Sequence, residues 1–245
     1  MNAGRPLALL ALVPARGASV SILRKNARLF LGRPLLAWAV EAALESGACD
    51  RVVVSTDDEE IAEIGREAGA EVPFLRPAGL ARDDTPTAPV VRHAVDWLAE
   101  EGWTPAGVLV LEPTSPARRP FHLLEAAELL ARPDVDSVAS VSEVPHHYVP
   151  GKLLRLGDDG TIAGVDGTPV RDMTHRRQDL KAAYAFNGLT FGCKTRLVLA
   201  DPPTLWGERV VAQVVDPRYA LDLDRPEDWA PAELRMREIL DAEGG

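Results

Sequence analysis

The sequence has little cysteine, few aromatic residues and no long apolar run. Its two cysteines, Cys49 and Cys193, are far apart in a chain of 245 residues, and we expect buried thiols, with a disulfide the less favoured alternative and no metal site of cysteine spacing. The apolar stretch from Leu7 to Val13 is much shorter than the ~20 residues of a membrane span and lacks a cleavage pattern. We therefore expect a cytoplasmic protein with no membrane partner.

Positive charge is also scarce. Lysine and arginine total 27 against 37 aspartates and glutamates, which gives a net charge of -10. Non-specific nucleic-acid binding needs a basic footprint, so we expect no nucleic-acid partner. Hydrophobic residues make up 46% and charged residues 26%, a composition typical of globular proteins rather than of disordered or fibrous ones. An anionic substrate would have to be held by a local cluster of cations.

Short apolar runs alternate with segments of helical periodicity up to Val141. This alternation predicts βαβ units around a mainly parallel sheet, whose ligands bind beyond the carboxyl ends of the strands. The loops 14–26, 55–58 and 112–119 would then surround a site. The predicted strands are 7–13, 51–56, 107–111 and 135–141, and the predicted helices are 34–44, one capped by Asp57 or Asp58, one through 90–98 and one across 123–130.

The pattern changes after Val141. Residues 142–186 contain several glycines and a basic run without βαβ rhythm, and further strands are predicted at 187–193 and 209–215, before a helix from about Pro226. We predict a single domain over 1–245 with an insertion at 142–186, which packs on the sheet or reaches a partner subunit. His146 and His147 are adjacent and would point to opposite faces of a strand, so they are poor partners for one metal ion.

The loop 14–26 combines small residues with three cations, Arg16, Arg24 and Lys25. Small side chains let backbone N–H groups approach a phosphate, and the cations can neutralise charge during phosphoryl transfer. The loop matches neither a Walker sequence nor a dinucleotide-binding fingerprint. A basic surface loop without function remains the alternative.

A second constellation lies near the other end of the chain. Asp222 and Asp224 are two residues apart, so in an extended segment both carboxylates face the same side. Two such carboxylates, completed by water and triphosphate oxygens, are typical of a Mg²⁺ site. The alternative is an acidic turn in which Asp224 caps the following helix.

Several segments together resemble the acylneuraminate cytidylyltransferases (CMP-sialic acid synthetases), over roughly residues 7–232. The opening motif of that family, A-R-x-G-S-K-x-x-P-x-K-N, is matched at Ala15, Arg16, Ser19, Lys25 and Asn26. The further similar segments follow in the same order as in the family: 51–57, 71–77, 113–116, 177–180, 187–188 and 222–224.

The resemblance implies a Rossmann-like nucleotide-diphospho-sugar transferase fold, an α/β class with a mainly parallel sheet and a dimerisation insertion. It also implies a nucleotidyltransferase that joins CMP from CTP to an acidic acceptor and releases pyrophosphate, working as a homodimer. The implied roles are phosphate binding and catalysis by Arg16 and Lys25, nucleotide binding by Ala15, Ser19, Asn26, Arg76 and Thr87, acceptor binding by Glu112, Lys152 and Arg177, and binding of Mg²⁺, or alternatively Mn²⁺, by Asp222 and Asp224.

The sequence departs from the family at positions that affect the loop and the acceptor. Val20 replaces a lysine of the motif, Leu23 replaces a proline, and Glu112 replaces a glutamine. Arg24 is near enough in sequence to supply the missing cation. An ionised glutamate cannot donate a hydrogen bond, so Glu112 would suit an acceptor amine.

The acceptor is therefore open. A sialic-like nonulosonic acid, including legionaminic- or pseudaminic-type acids, or another acidic or amino-bearing compound would fit. Two other functions remain: a sugar-1-phosphate nucleotidyltransferase that makes an NDP-sugar, and a non-catalytic nucleotide-binding homologue.

Overall fold

A six-stranded sheet runs through the centre of the chain, in the strand order β10-β6-β9-β5-β1-β4. The structure is a computed structural model that describes residues 7–18, 21–174 and 176–244, without the side chain of Arg177. The helices and strands are β1 Leu9–Pro14, β2 Leu29–Phe30, β3 Arg33–Pro34, α1 Leu35–Ser46, β4 Arg51–Ser55, α2 Glu59–Glu67, α3 Thr87–Glu100, β5 Gly107–Val110, α4 Pro120–Ala131, β6 Ser137–Glu143, β7 Leu154–Leu156, β8 Ile162–Gly164, β9 Tyr184–Lys194, α5 Thr195–Val198, β10 Val210–Val214 and α6 Trp229–Gly244.

Five of the six central strands are parallel. β1 pairs in parallel with β4 and β5, and β10 pairs in parallel with β6, whereas β9 is antiparallel to both of its neighbours, β5 and β6. The predicted α/β class with a mainly parallel sheet is confirmed. The carboxyl ends of β1, β4 and β5 consequently meet at one edge of the sheet, as the rule for such folds requires.

The sheet is covered on both faces, which explains the uninterrupted apolar sequence of its first strand. In β1, Ala11 and Val13 pack with α1, α2 and α4, while Leu10 and Leu12 pack on the opposite face with α3 and α5. Successive side chains of a strand point to opposite faces, so a strand covered on both sides needs apolar residues at every position.

Strand β9 contains a bulge where it passes β6. The register shifts between the pair Ala139–Phe191 and the pair Val141–Phe186. Side chains of β6 hold the displaced backbone, because Ser140 Oγ accepts a hydrogen bond from the Thr190 N–H at 2.9 Å. Such bulges redirect the side chains that flank them.

The chain leaves the sheet after Glu143 and returns to it at Tyr184, so residues 142–143 and 184–186 of the predicted insertion belong to paired strands. β6 ends at Glu143 and β9 begins at Tyr184, and between them β7 and β8 form a separate antiparallel hairpin. We call this excursion, residues 144–183, the arm. All three residues of β7 are exposed.

The helix boundaries follow local signals. Asp58, one of the two residues predicted to cap α2, is its N-cap. Its carboxylate accepts a hydrogen bond from the Ile61 N–H at 3.0 Å. The predicted helix from about Pro226 starts with a 3-10 turn, Pro226–Asp228, and continues as α6. Within the described part of the chain, no helix is both long and apolar enough to cross a membrane.

Candidate nucleotide-binding cleft

An open cleft of about 270 Å³ lies at the carboxyl ends of β1 and β5. Most of the residues that the sequence analysis singled out line this cleft: Arg16, Lys25, Asn26, Arg76, Thr87, Glu112, Asp222 and Asp224. The fold thus brings the first loop and the aspartate pair, which lie near opposite ends of the sequence, to one place.

Lys25 joins these two ends directly. Its ammonium donates to the Leu223 carbonyl oxygen at 3.0 Å and to Asp224 Oδ1 at 3.2 Å. The side chain is only 13% exposed, whereas that of Asp224 is 68% exposed. Lys25 is therefore fixed at its tip, next to the more accessible of the two carboxylates.

Asn26 orders the loop that carries Arg16. The Asn26 side chain is buried, and its Nδ2 donates to the Arg16 carbonyl oxygen at 3.0 Å. This contact is with the loop backbone, one of the roles implied for Asn26. Across the cleft, the Arg16 guanidinium pairs with Asp83, so the cation is present but already engaged by an exposed carboxylate.

Arg76 brings a buried cation to the cleft. It is 6% exposed, and its Nε and Nη2 have no hydrogen-bond partner among the described residues. Asp57 Oδ1 lies 3.7 Å from Nη2, which is too far for a hydrogen bond. Burial lowers the pKa of Arg76, and the charge of Asp57 opposes that shift. An anion at this guanidinium would supply the partner that the protein does not.

The segment from Asp222 to Asp224 is anchored by the residue between them. Leu223 is fully buried, and its N–H donates to the Thr114 carbonyl oxygen at 3.0 Å. Burial raises the pKa of Asp222, the negative charge of Asp224 raises it further, and a hydrogen bond with the Thr114 side chain opposes the shift. The 3-10 turn that follows has Arg225 as its N-cap, so the alternative role of Asp224 as a cap is not observed.

This pair fits a hard divalent cation. Carboxylate oxygens are the ligands Mg²⁺ prefers, and the mutual repulsion of Asp222 and Asp224 would be relieved by a positive ion. Over the ranges that the structure describes, no cluster of three or more histidine, cysteine or acidic side chains could hold a metal. The protein would therefore contribute two ligands and leave the others to water or substrate oxygens.

Glu112 follows β5 and is half-buried. Burial raises the pKa of its carboxyl group, the Arg118 charge opposes this, and Asp222 and Asp224 raise it further. Arg118 is fully buried beside it, with its pKa lowered by burial to about 10. The Arg118 guanidinium donates to the backbone carbonyls of Glu112, at 2.8 Å, and of Leu189 in the β9 bulge.

Glu112 and Thr87 also line a second cavity, of about 350 Å³, next to the cleft. The cavity is mostly apolar. Its other lining residues are Pro86, Ala88, Val110, Phe191, Pro203, Thr204, Leu205 and Trp206.

The other predicted site residues do not line the cleft, and one of them lies outside the residues that the structure describes. Ala15 is fully buried, and its N–H donates to the Ser55 carbonyl oxygen at 2.9 Å, so it joins β1 to β4 at the edge of the site. Lys152 lies in the arm and does not line the cleft, and the backbone of Arg177 forms a short 3-10 helix in the same arm. Ser19 lies outside the described residues, as does Val20.

Arg24, which could supply the cation that the loop lacks at Val20, is engaged by acidic residues outside the cleft in this structure. Its guanidinium pairs with Asp58 at 2.6 and 3.1 Å and with Glu60, at the start of α2. It does not line the cleft.

Sequence reasoning assigned no role to several residues that belong to the site. Arg82, Asp83, Thr85 and Thr114 line the cleft, and Arg118 supports it from beneath. A signal for the first of these was present in the charged run 82–84 just before α3. This run reaches the cleft because two isolated bridges return the chain to the carboxyl edge of the sheet. Glu71 pairs with Val53 of β4, and Leu75 pairs with Thr56, directly after β4.

Several known proteins are similar to this chain. A family model described as Cytidylyltransferase matches residues 10–141. The N-acylneuraminate cytidylyltransferase A of Danio rerio is 31% identical over 226 residues, which is 92% of this chain and 50% of that protein. The CMP-N,N'-diacetyllegionaminic acid synthase of Legionella pneumophila is 30% identical over 232 residues, which is 93% of this chain and 96% of that protein.

The chain spans about half the length of the first of these relatives and of the N-acylneuraminate cytidylyltransferase of Streptococcus agalactiae, of which it covers 51% at 32% identity. A solved structure of CMP:2-keto-3-deoxy-manno-octonic acid synthetase complexed with CTP has a TM-score of 0.68 at 12% identity, covering 95% of this chain and 99% of that one. This likeness confirms the predicted Rossmann-like nucleotidyltransferase fold. The family model and the relatives together show that the chain belongs to the cytidylyltransferase family.

Proposed function

We propose that the protein transfers the cytidylyl group of CTP to an acidic acceptor of the nonulosonic type, forming a CMP ester and releasing pyrophosphate. The observation that carries this proposal is the contact of Lys25 with Leu223 and Asp224. It joins the cationic loop to the carboxylate pair in one cleft, which is the arrangement that transfer from a metal-bound triphosphate requires.

The cations of the cleft would surround the triphosphate. Arg16, Lys25, Arg76 and Arg82 all line it, and they come from three different parts of the sequence. Lys25 is held at its tip and so can stabilise charge at the α-phosphate without first being ordered. An acceptor hydroxyl would attack that phosphorus in line, and pyrophosphate would leave on the opposite side.

Asp222 and Asp224 would hold Mg²⁺, or Mn²⁺ as the alternative. When bound, such an ion offsets the negative charge of the triphosphate and of the two carboxylates. Lys25 donates to Leu223 and Asp224 in the structure, which leaves the third N–H of its ammonium for a phosphate oxygen.

The acceptor half of the proposal rests on the relatives and on the arm. The relatives include enzymes named for an N-acylneuraminate, a legionaminic acid and pseudaminic acid. We propose that Lys152 and Arg177, which lie in the arm, meet the acceptor of a partner subunit in a cytoplasmic homodimer, while Glu112 meets the acceptor of its own subunit.

A pyrophosphate-release assay tests the function. The four NTPs are each offered with N-acetylneuraminic, legionaminic, pseudaminic and 3-deoxy-octulosonic acids and with sugar 1-phosphates, in the presence of Mg²⁺. We expect release with CTP and a nonulosonic acid, and a single phosphodiester resonance in the phosphorus NMR spectrum of the product. A diphosphate product would identify a sugar-1-phosphate nucleotidyltransferase, and tight CTP binding with no release from any acceptor would identify a non-catalytic homologue.

A further inference from the structure

The second cavity holds one charged group in an otherwise uncharged lining. Among its described lining residues, Glu112 is the only ionisable side chain, and no cation lines it. A carboxylate of the acceptor would be repelled there. The acidic group of the acceptor must therefore lie elsewhere, and the cavity must receive a different part of the molecule.

Two aromatic side chains, Phe191 and Trp206, line the same cavity as Glu112. Phe191 and Trp206 meet edge to face, with their ring centroids 5.6 Å apart, and Phe186 lies 5.7 Å from Trp206. Trp206 is 43% exposed, so part of its ring is accessible. Aromatic faces attract cations through their quadrupole, tryptophan most strongly, and a neighbouring carboxylate adds to the attraction.

The Glu112 carboxylate is not satisfied by the protein. The Arg118 guanidinium donates to the backbone carbonyl of Glu112, and no group in the described ranges donates a hydrogen bond to the carboxylate itself. Arg118 and Lys25 act on it as positive charges from the protein side, and Asp222 and Asp224 act as negative ones, but neither cation lines the cavity. A half-buried carboxylate in this position gains from a ligand that both donates hydrogen bonds and carries positive charge.

We propose that this cavity binds an ammonium group of the acceptor, held between the Glu112 carboxylate and the rings of Phe191 and Trp206. The acceptor is then an amino-bearing acid. Glu112 is its specificity-determining residue, and the cavity places the amine beside the cleft where the cytidylyl group is transferred. This proposal rests on the proposed function, since it names the class of the acceptor.

Two matched pairs of acceptors test it. 8-Amino-8-deoxy-3-deoxy-octulosonic acid is compared with 3-deoxy-octulosonic acid, and 9-amino-9-deoxy-N-acetylneuraminic acid with N-acetylneuraminic acid, by pyrophosphate release and by calorimetric binding to the CTP-loaded protein. We expect kcat/KM to be about tenfold or more higher for the amino member of at least one pair, as a desolvated cation–π and carboxylate contact would give.

Variants of the cavity residues show which side chains cause the preference for the amino acceptor. Glu112→Gln should abolish the preference for the amine, and Trp206→Leu should reduce that preference by about three- to tenfold. Glu100→Gln, at an exposed position on α3, is the matched control and should keep the preference.

The outcomes separate the two proposals. Equal rates within both pairs, with Glu112→Gln slowing both members alike, would show that Glu112 accepts from a neutral hydroxyl and would overturn the ammonium site while leaving cytidylyl transfer intact. Absence of pyrophosphate release with every acceptor and every NTP would overturn the proposed function itself, and the ammonium site with it.

Discussion

The Lys25 ammonium is held by one backbone carbonyl and one carboxylate at the far end of the chain. If it stabilises the transferring phosphate, Lys25→Met should lower kcat by about 100- to 1,000-fold, the usual effect of removing one preorganised charge-stabilising donor. Its partly exposed ion pair contributes about 1 kcal/mol or less, so the variant should stay folded. Pyrophosphate release and urea unfolding measure the two effects.

The control for this variant is Lys194→Met. Lys194 pairs with Gly107 at the amino end of β5, the opposite edge of the sheet from the cleft, and so its removal should leave kcat unchanged. Turnover by Lys25→Met close to that of Lys194→Met would contradict the catalytic role.

At the level of residues, the sequence predicted the groups that have a motif and missed those that depend on the fold. Arg16, Lys25 and the aspartate pair stand in recognisable patterns and line the cleft. Arg118 was missed because it donates to the backbone carbonyls of Glu112 and Leu189. Every residue has such a carbonyl, so the sequence does not show which residues accept this hydrogen bond.

At the scale of the elements, the N-terminal cap of helix α4 requires a neutral histidine side chain. His122 is 2% exposed, and its Nδ1 accepts a hydrogen bond from the Arg119 N–H at 3.0 Å. Burial and, to a lesser extent, the positive charges of Arg118, Arg119 and Arg218 together lower the His122 pKa to about 4. The cap therefore requires the unprotonated imidazole.

This lowered pKa predicts a loss of stability in acid. The unfolded chain takes up the proton near pH 6.5 and the folded protein only near pH 4, so the contribution is complete above pH 6.5 and is lost as the pH falls to 4. Over that window the free energy of unfolding should fall by about 3 kcal/mol on account of this residue.

His122→Asn tests this contribution, since its amide oxygen can still accept from the N-cap. Urea unfolding at pH 7 and pH 4.5 should show a smaller acid-induced loss for His122→Asn than for the original protein. His147→Asn, at an exposed position in the arm, should leave the pH dependence as it was. An unaltered acid-induced loss in His122→Asn would mean that the histidine is not responsible.

The positions of the elements could be read from periodicity, but the direction of one strand could not. The predicted strand 187–193 lies within β9, which runs antiparallel to β5 and β6. Alternation of side chains is the same in both directions, and the reversal results from the path of the arm rather than from any residue of the strand. The bulge in β9 was equally unforeseen, because it depends on Ser140 of a different strand.

At the scale of the whole molecule, the arm exposes apolar residues that a soluble monomer would rarely display together. Leu154, Leu156 and Ile162 are 48%, 72% and 51% exposed. Contiguous apolar surface of this kind commonly marks an interface. We therefore expect a dimer in solution, formed through the arm.

Light scattering coupled to size-exclusion chromatography measures the oligomeric state of the protein. The double variant Leu156→Glu/Ile162→Glu should be monomeric, because two like charges would be buried at the interface, and its KM for the acceptor should rise if Lys152 and Arg177 act across it. Leu124→Glu/Leu234→Glu changes two exposed leucines on α4 and α6 and should remain dimeric. A monomeric parent protein with full activity would contradict the proposed assembly.

The contact between Lys25 and Asp224 bears on the order in which the parts of the cleft form during synthesis and folding. It closes a separation of 199 positions, the kind of long-range contact that forms late because the whole intervening chain must first be ordered. A nascent chain on the ribosome can build β1, β4 and β5 and their helices while its carboxylate pair is still unsynthesised or inside the exit tunnel. Every cation of the cleft is then in place before either aspartate, so the young protein would present an anion-binding surface well before it could carry out any transfer.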